Sequence, residues 1–473
     1  MKPSTLVRTL LMASSSSKRS VSLTPEQIAL SEARKAKRLK QQQEKASLPQ
    51  NQEQGNVLSR PWLQLEHTRN VDGANRVRIF TWNLLAQCLV RRELFPTSDC
   101  LKAAQREHML YRELVAQEAD ILCLQEVDRL EKLLPVLEKA GYSYCYASGP
   151  RKKHGCLIAF KKDSYQELDT RLVHYDDEEI RSEGSEIARR GSSFRTKNIG
   201  HIVALKNKQS DFGLIVATTH LFWHPRYTYE RARQAGILKR EVVKFRDTLN
   251  RGRWPCIISG GEYATNCQFA FQRTLLSDFN FAPDDAAYSL VTGDPLLPSQ
   301  IDYLKTSQVV HATIDPSVTP DPAKAITQDE NEEEADPDRT ITNARPAAAS
   351  DGLLSPTELH DLFASSGPPL KSAYDIGMRN FTESNNAESV PLFGNRVDLQ
   401  PDRHGAYEPQ WTSYTHYWKT VLDYIFVIDS SSRSSVTGLL VPPKTEDLEP
   451  GLPRKGVCGS DHVSLSADLL FST

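Results

Sequence analysis

The chain has 473 residues, 39% of them hydrophobic and 25% charged, with a formal net charge of −2. That length suffices for a large α/β core in an ordinary soluble protein, and the near-neutral charge excludes a global polycation, so any nucleic-acid surface has to be local. No run approaches the length of a membrane span. Eight dispersed cysteines without a C-x-x-C pair argue for reduced, buried thiols rather than a disulfide framework or a zinc site.

Residues 1–58 read as a disordered basic arm with a short helix. The first fifty residues carry ten Lys/Arg against three Glu, and the first acid is Glu26. Such a start fits a cytoplasmic or nuclear protein with a solvated arm, and equally a mitochondrial presequence. Thr24-Pro25-Glu26 supplies an N-cap, a proline at N1 and an acid in the first turn, leading into the basic stretch Ala33–Lys40, a helix able to contact RNA phosphates. One domain is expected over 59–473. In it, apolar β-like runs at Val77–Thr81, Ile121–Leu124, Cys156–Phe160, Ile202–Leu205, Leu214–Thr218 and Cys256–Ser259 alternate with helical stretches at Ala103–Gln117, Leu130–Ala140 and Tyr229–Leu249. The alternation says α/β. The hairpin-like runs in the middle favour a mixed sandwich over a doubly wound parallel sheet. At about 310–352 the pattern breaks: between 315 and 350, nine acids face three bases with almost no large apolar residues, which predicts a disordered acidic insertion. Order resumes at the helix start Ser355-Pro356-Thr357-Glu358 and ends in strands at Val421–Ile428 and Val463–Leu470.

Five of these runs end in polar residues of the types one metal–phosphate site needs. They are Trp82-Asn83, Gln125-Glu126, His220, Asp423 and Asp461-His462. Phosphodiester hydrolysis requires a cation to neutralise the phosphate, an activated water and a donor for developing charge. Mg²⁺ takes oxygen ligands and keeps several waters, so one or two carboxylates plus an amide suffice. Glu126 closes an apolar run, where an unpaired acid is expensive, and is the best metal ligand, with Asn83 to orient it. His220 is a phosphate donor, Trp223 a base-stacking candidate, and Asp461 a metal ligand whose neighbour His462 is held by Asp423.

Together these segments resemble the endonuclease/exonuclease/phosphatase superfamily. Arg78–Gln87 is similar to its deadenylase branch of nocturnin and Angel relatives. Arg91–Pro96, His220–Pro225 and Thr24-Pro25-Glu26 look most like the fungal Ngl RNA exonucleases. The resemblance implies a four-layer α/β sandwich of two mixed sheets flanked by helices (DNase I-like), dependence on Mg²⁺ or Mn²⁺, and trimming of an RNA 3′ end. It implies Glu126, Asn83 and Asp461 around the metal, and His220 on the phosphate; Asn198, like Trp223, is a substrate-side candidate beside them. It also implies an Asp423–His462 pair that stabilises the transition state.

One segment departs from the family, which carries Gly-Asp-Phe-Asn after the strand that here ends at Ser259. This chain reads Gly260-Gly261-Glu262-Tyr263-Ala264. One register keeps an acid, Glu262, with an extra methylene; the other keeps none. Either predicts a slow or dead hydrolase, since a misplacement of about 1 Å can cost a hundredfold in rate. The alternatives are an RNA-binding pseudo-nuclease and a phosphatase on a small nucleotide or inositol phosphate.

Overall fold

The computed structural model describes residues 56–65, 74–260, 281–319, 343–385, 392–394, 399–400, 402–429 and 433–472. The stretch expected as a basic N-terminal helix, Glu262 and the centre of the acidic run lie outside the described residues.

In chain order the first strands are β1 (Trp62–Gln64), β2 (Asn75–Asn83), β3 (Ile121–Val127), β4 (Tyr142–Ala147) and β5 (Gly155–Lys161). β6 (Tyr165–His174), β7 (Ile199–Asn207), β8 (Gly213–Thr219) and β9 (Cys256–Gly260) follow. After the short pair β10 (Val309–His311) and β11 (Ala344–Pro346) come β12 (Lys371–Ser372), β13 (Ser413–Tyr414), β14 (Lys419–Thr420), β15 (Tyr424–Ile428), β16 (Ser434–Leu440) and β17 (Leu465–Phe471). Two large mixed sheets result, one in the order β1-β16-β17-β2-β3-β5-β4 and the other β12-β15-β9-β8-β7-β6. β2 runs parallel to β3 and β8 parallel to β9; every other pairing in them is antiparallel.

The period-two side-chain alternation of a strand explains the layering. Val77, Ile79, Ile121 and Cys123 face inward to meet Val203, Leu205, Leu214, Val216, Ile257 and Ile425 of the other sheet. Their neighbours Phe80, Trp82, Leu122 and Leu124 face outward, against helices α1 (Ala103–Ala116) and α2 (Leu130–Lys139). On the second sheet Ile202, Ala204, Ile215, Ala217, Cys256 and Ile258 pack outward beneath α3 (Thr228–Thr248). Both faces of each central strand are therefore apolar. That is why these strands read as continuous hydrophobic runs, and why the architecture is helix–sheet–sheet–helix. Among the described residues no helix is long and apolar enough to cross a membrane.

The span 310–352 differs from the expected disordered insertion at both ends. Val309–His311 pairs antiparallel with Ala344–Pro346, Val310 is buried, and Arg345 lies between Asp315 at 2.8 Å and Asp351 at 2.7 Å. Composition conceals this because one bifurcating guanidinium and one plugged valine, rather than a run of apolar residues, hold the neck together. Residues 320–342 lie outside the described set.

Near β15, Glu408 is buried beside Asp375, and the Tyr288 hydroxyl donates to its Oε1 at 2.8 Å. Burial first, and the Asp375 charge second, push the Glu408 carboxyl up to about 8. A carboxyl that holds its proton only when folded stabilises fully below the unfolded value of about 4.3 and loses that contribution as pH rises through about 8. Glu408→Gln is therefore expected to flatten the decline in melting temperature between pH 5 and 9, raising it by a few degrees at pH 9; thermal denaturation across that range measures it.

Candidate active site

Sheet register brings the five polar strand ends to one edge. Because β2 and β3 are parallel, with Asn83 paired to Gln125, both C-terminal ends open on the same side. β17 runs antiparallel to β2, with Leu465 opposite Thr81, so the loop before it returns Asp461-His462 beside Asn83. In the second sheet, parallel β8 and β9 end at Thr219 and Gly260, and antiparallel β15 sets Tyr424 opposite Gly260. His220 and Asp423 therefore arrive at the edge from that side.

Within this edge, Glu126 is gripped at both oxygens. Asn83 Nδ2 donates to Oε1 at 2.9 Å and the Ala86 amide to Oε2 at 2.8 Å, while Asn83 Oδ1 accepts from the Leu85 amide at 2.9 Å. Glu126 has a left-handed φ of 54°, where the β3–β5 register slips between Leu124 and Val127. The bulge ends the strand's alternation and re-aims the side chain, a local strain typical of functional positions. Behind it, Gln125 Nε2 spans the two sheets, donating to Thr81 Oγ1 at 3.2 Å and Thr218 Oγ1 at 2.9 Å.

The opposite half is built by Ser460, whose hydroxyl donates to the Asn83 carbonyl at 2.6 Å and so ties the Asp461 loop to the end of β2. Asp461 is fully buried, and its Oδ2 has no hydrogen-bond partner among the described residues. His462 Nδ1 and Asp423 Oδ2 lie 2.8 Å apart, both side chains at most 1% exposed. The Trp82 indole donates to the His462 carbonyl at 2.8 Å. Thr412 Oγ1 accepts from the Asp423 amide at 3.1 Å, fixing the start of β15.

Electrostatics here are set by burial. Desolvation, followed by the Asp461 charge, pushes the Glu126 carboxyl up to about 7, against the pull of its Asn83 and Ala86 hydrogen bonds. Burial also raises Asp461. His220 Nε2 stands 3.7 Å from Glu126 Oε1. Burial, then His154 and Lys152, hold its pKa well below the ordinary imidazole value, so this contact joins a neutral ring to a carboxyl and is not an ion pair.

The substrate-side candidates divide. Asn198, just before β7, accepts a hydrogen bond from Lys152 Nζ at 2.7 Å. His154 lies edge-on to His220 with centroids 5.5 Å apart, so the loop before β5 forms a wall beside His220. Burial depresses His154 to about 3. Reading along the chain does not single out His154 or Lys152; the signal available is the cationic run Arg151-Lys152-Lys153-His154 opening directly onto an apolar strand. Trp223 is only 7% exposed and packs in a cluster with Phe194 and Phe222. It braces the His220 loop from within rather than displaying a face on which a base could stack. Glu262 falls outside the described residues.

Known proteins resemble this chain over most of its length. The chain is 27% identical over 459 residues to RNA exonuclease NGL2 of Saccharomyces cerevisiae, covering 87% of this chain and 81% of that one. It is 28% identical over 421 residues to the probable RNA exonuclease C9B6.11c of Schizosaccharomyces pombe, covering 83% and 76%. The fold resembles the crystal structure of ANGEL2, a 2′,3′-cyclic phosphatase, with a TM-score of 0.53 at 19% identity over 88% of this chain and 100% of that one. The profile of the endonuclease/exonuclease/phosphatase family matches residues 80–462. Because that match begins inside β2 and ends on His462, it takes in both halves of the polar edge, and the chain belongs to the endonuclease/exonuclease/phosphatase family.

Proposed function

We propose that this protein is a divalent-metal-dependent 3′–5′ exoribonuclease that shortens RNA from its 3′ end. The observation carrying this reading is the buried carboxylate pair of Glu126 and Asp461 with an amide, Asn83, between the two loops and a neutral histidine alongside. The donor set fits Mg²⁺ or Mn²⁺. Two buried acids whose charges oppose each other, one with an oxygen unpartnered among the described residues, are the environment a hard cation relieves. Among the described residues no group of three or more His, Cys, Asp or Glu forms a cage. Mg²⁺ needs none, because it retains water ligands. When bound, the cation would neutralise phosphate charge and act as a Lewis acid on the scissile group.

Glu126 would be the principal ligand, oriented by Asn83 and Ala86, with Asp461 completing the site. His220, uncharged and held by the His154 wall, would donate to a phosphate oxygen. The Asp423–His462 pair would place a cationic donor against the charge developing on the phosphate, and Asn198 with Lys152 would meet the RNA backbone. The NGL2 and C9B6.11c names, attached to relatives that span most of this chain, support RNA over a small phosphate ester.

The test is the full chain with 5′-labelled RNA carrying an oligo(A) or mixed 3′ end, in Mg²⁺ and in EDTA. A ladder shrinking from the 3′ end in Mg²⁺ alone is expected. RNA retention without shortening, or phosphate release from 2′,3′-cyclic or small-molecule esters with intact RNA, would overturn it. In the register that retains Glu262, Glu262→Asp with Ala264→Asn removes one methylene and restores an amide. That pair is expected to raise turnover by up to about a hundredfold. Single-turnover rates compare the two.

A further inference from the structure

Arg106 carries a full charge into the protein interior without an obvious reason. It sits on α1, is 2% exposed, and makes hydrogen bonds almost entirely to backbone. Nη1 donates to the carbonyls of Leu84 at 3.1 Å and Gly459 at 2.9 Å; Nη2 donates to Leu85 O at 2.7 Å and Gln87 Oε1 at 3.3 Å. Those carbonyls belong to two different loops. Leu84–Leu85 is the turn whose next residue, Ala86, holds Glu126, and Leu85 is itself left-handed at φ 55°. Gly459 immediately precedes Ser460-Asp461. One planar fork thus spans the turn that grips Glu126 and the loop that delivers Asp461, and it lines the same hollow as Glu126 and Asp128. A lysine, with a compact ammonium, cannot reproduce a fork bridging three carbonyls.

We propose that Arg106 is a positioning residue that fixes the separation of the Asn83–Glu126 and Asp461–His462 halves of the site, and through it the affinity for the divalent cation. The inference rests on the metal-dependent reading above. Burial of the guanidinium, which lowers its pKa against the pull of Asp461 and Asp128, is the cost of that bridge. Positioning and simple charge predict opposite signs. Losing a nearby positive charge alone would tighten cation binding, whereas losing the bridge loosens the ligands; outer-layer partners of metal ligands typically matter by about 10- to 100-fold.

The experiment is Mn²⁺ binding to the full-length, metal-free protein, followed by the EPR signal of free Mn²⁺, for wild type, Arg106→Met and Arg106→Lys. Circular dichroism confirms folding, and RNA kinetics run in parallel. Arg106→Met is expected to bind Mn²⁺ at least about tenfold more weakly, with Arg106→Lys intermediate, and kcat is expected to fall while KM for RNA stays within about twofold. Binding by folded Arg106→Met equal to or tighter than wild type overturns the proposal. If Arg106→Met does not fold, wild-type affinity in Arg106→Lys overturns it instead. A wild type that binds no Mn²⁺ removes the metal-dependent reading, and this inference with it.

Discussion

Glu126→Gln is expected to reduce RNA shortening by about 10³-fold or more while making the metal-free protein more stable at alkaline pH. The activity loss follows from removing the charge that would hold the cation and keeping only a neutral, weaker donor in its place. The stability gain follows from linkage. With its carboxyl held up to about 7 by burial and by Asp461, Glu126 contributes stability that is complete below the unfolded value of about 4.3 and is lost as pH rises through about 7. Above pH 8 the penalty is on the order of 3 kcal/mol. Glutamine escapes it but cannot accept from both Asn83 Nδ2 and the Ala86 amide, which returns about 1–2 kcal/mol. The net expectation is a modestly higher melting temperature at pH 8.5 in EDTA, a slightly lower one near pH 4.5, where only the lost hydrogen bond remains, and loss of the Mg²⁺-induced upward shift expected in wild type. Thermal denaturation with and without Mg²⁺ at several pH values reads all three. If the Glu126→Gln variant still shortens RNA at the wild-type rate, the assignment of Glu126 is wrong.

This combination of lost activity and gained stability explains why the site can be found in the sequence at all. Strands buried on both faces must be apolar throughout, so Ile79, Phe80, Leu122 and Leu124 announce β2 and β3. A Glu or Asn at the end of such a run then stands out against physical expectation. The same reasoning finds β8, β9, β15 and β17, because each is equally enclosed. It fails where the determining feature is tertiary. No local pattern marks the bulge that gives Glu126 a positive φ, since it depends on the register of β5. Arg106 reads as an ordinary helical arginine, because its partners are carbonyls of residues distant in the chain. Trp223 reads equally as a base-stacking candidate or a core aromatic, because an aromatic beside a histidine has no exposure marked in one dimension. Only the packing of Phe194 and Phe222 against it reveals a buried brace. The edge strand β6 has an exposed, polar face, and the pairing of β10 with β11 is very short, so these elements leave little periodic trace.

Asp423→Asn is expected to lower kcat by about 10²- to 10³-fold while leaving Mn²⁺ affinity and folding nearly unchanged. Asp423 Oδ2 is 2.8 Å from His462 Nδ1, and both groups are sealed from solvent. A carboxylate in that position stabilises an imidazolium and fixes which ring nitrogen would face a reacting phosphate in the proposed mechanism; an amide keeps the shape but supplies neither the charge nor a fixed tautomer. The converse substitution separates chemistry from stability. His462→Ala strands the Asp423 carboxylate, whose Oδ1 already has no hydrogen-bond partner among the described residues, in a dry environment. Breaking a buried charged pair from one side typically costs about 3–5 kcal/mol, so this variant is expected to lose both activity and stability. The double variant Asp423→Asn with His462→Ala should recover much of that stability, because no charge is left unpaired, and should recover none of the activity. Chemical denaturation and single-turnover kinetics on the three variants complete the cycle. Equal stability losses for His462→Ala and the double variant would mean that the pair is a packing feature and that the charge on Asp423 is not what it holds in place.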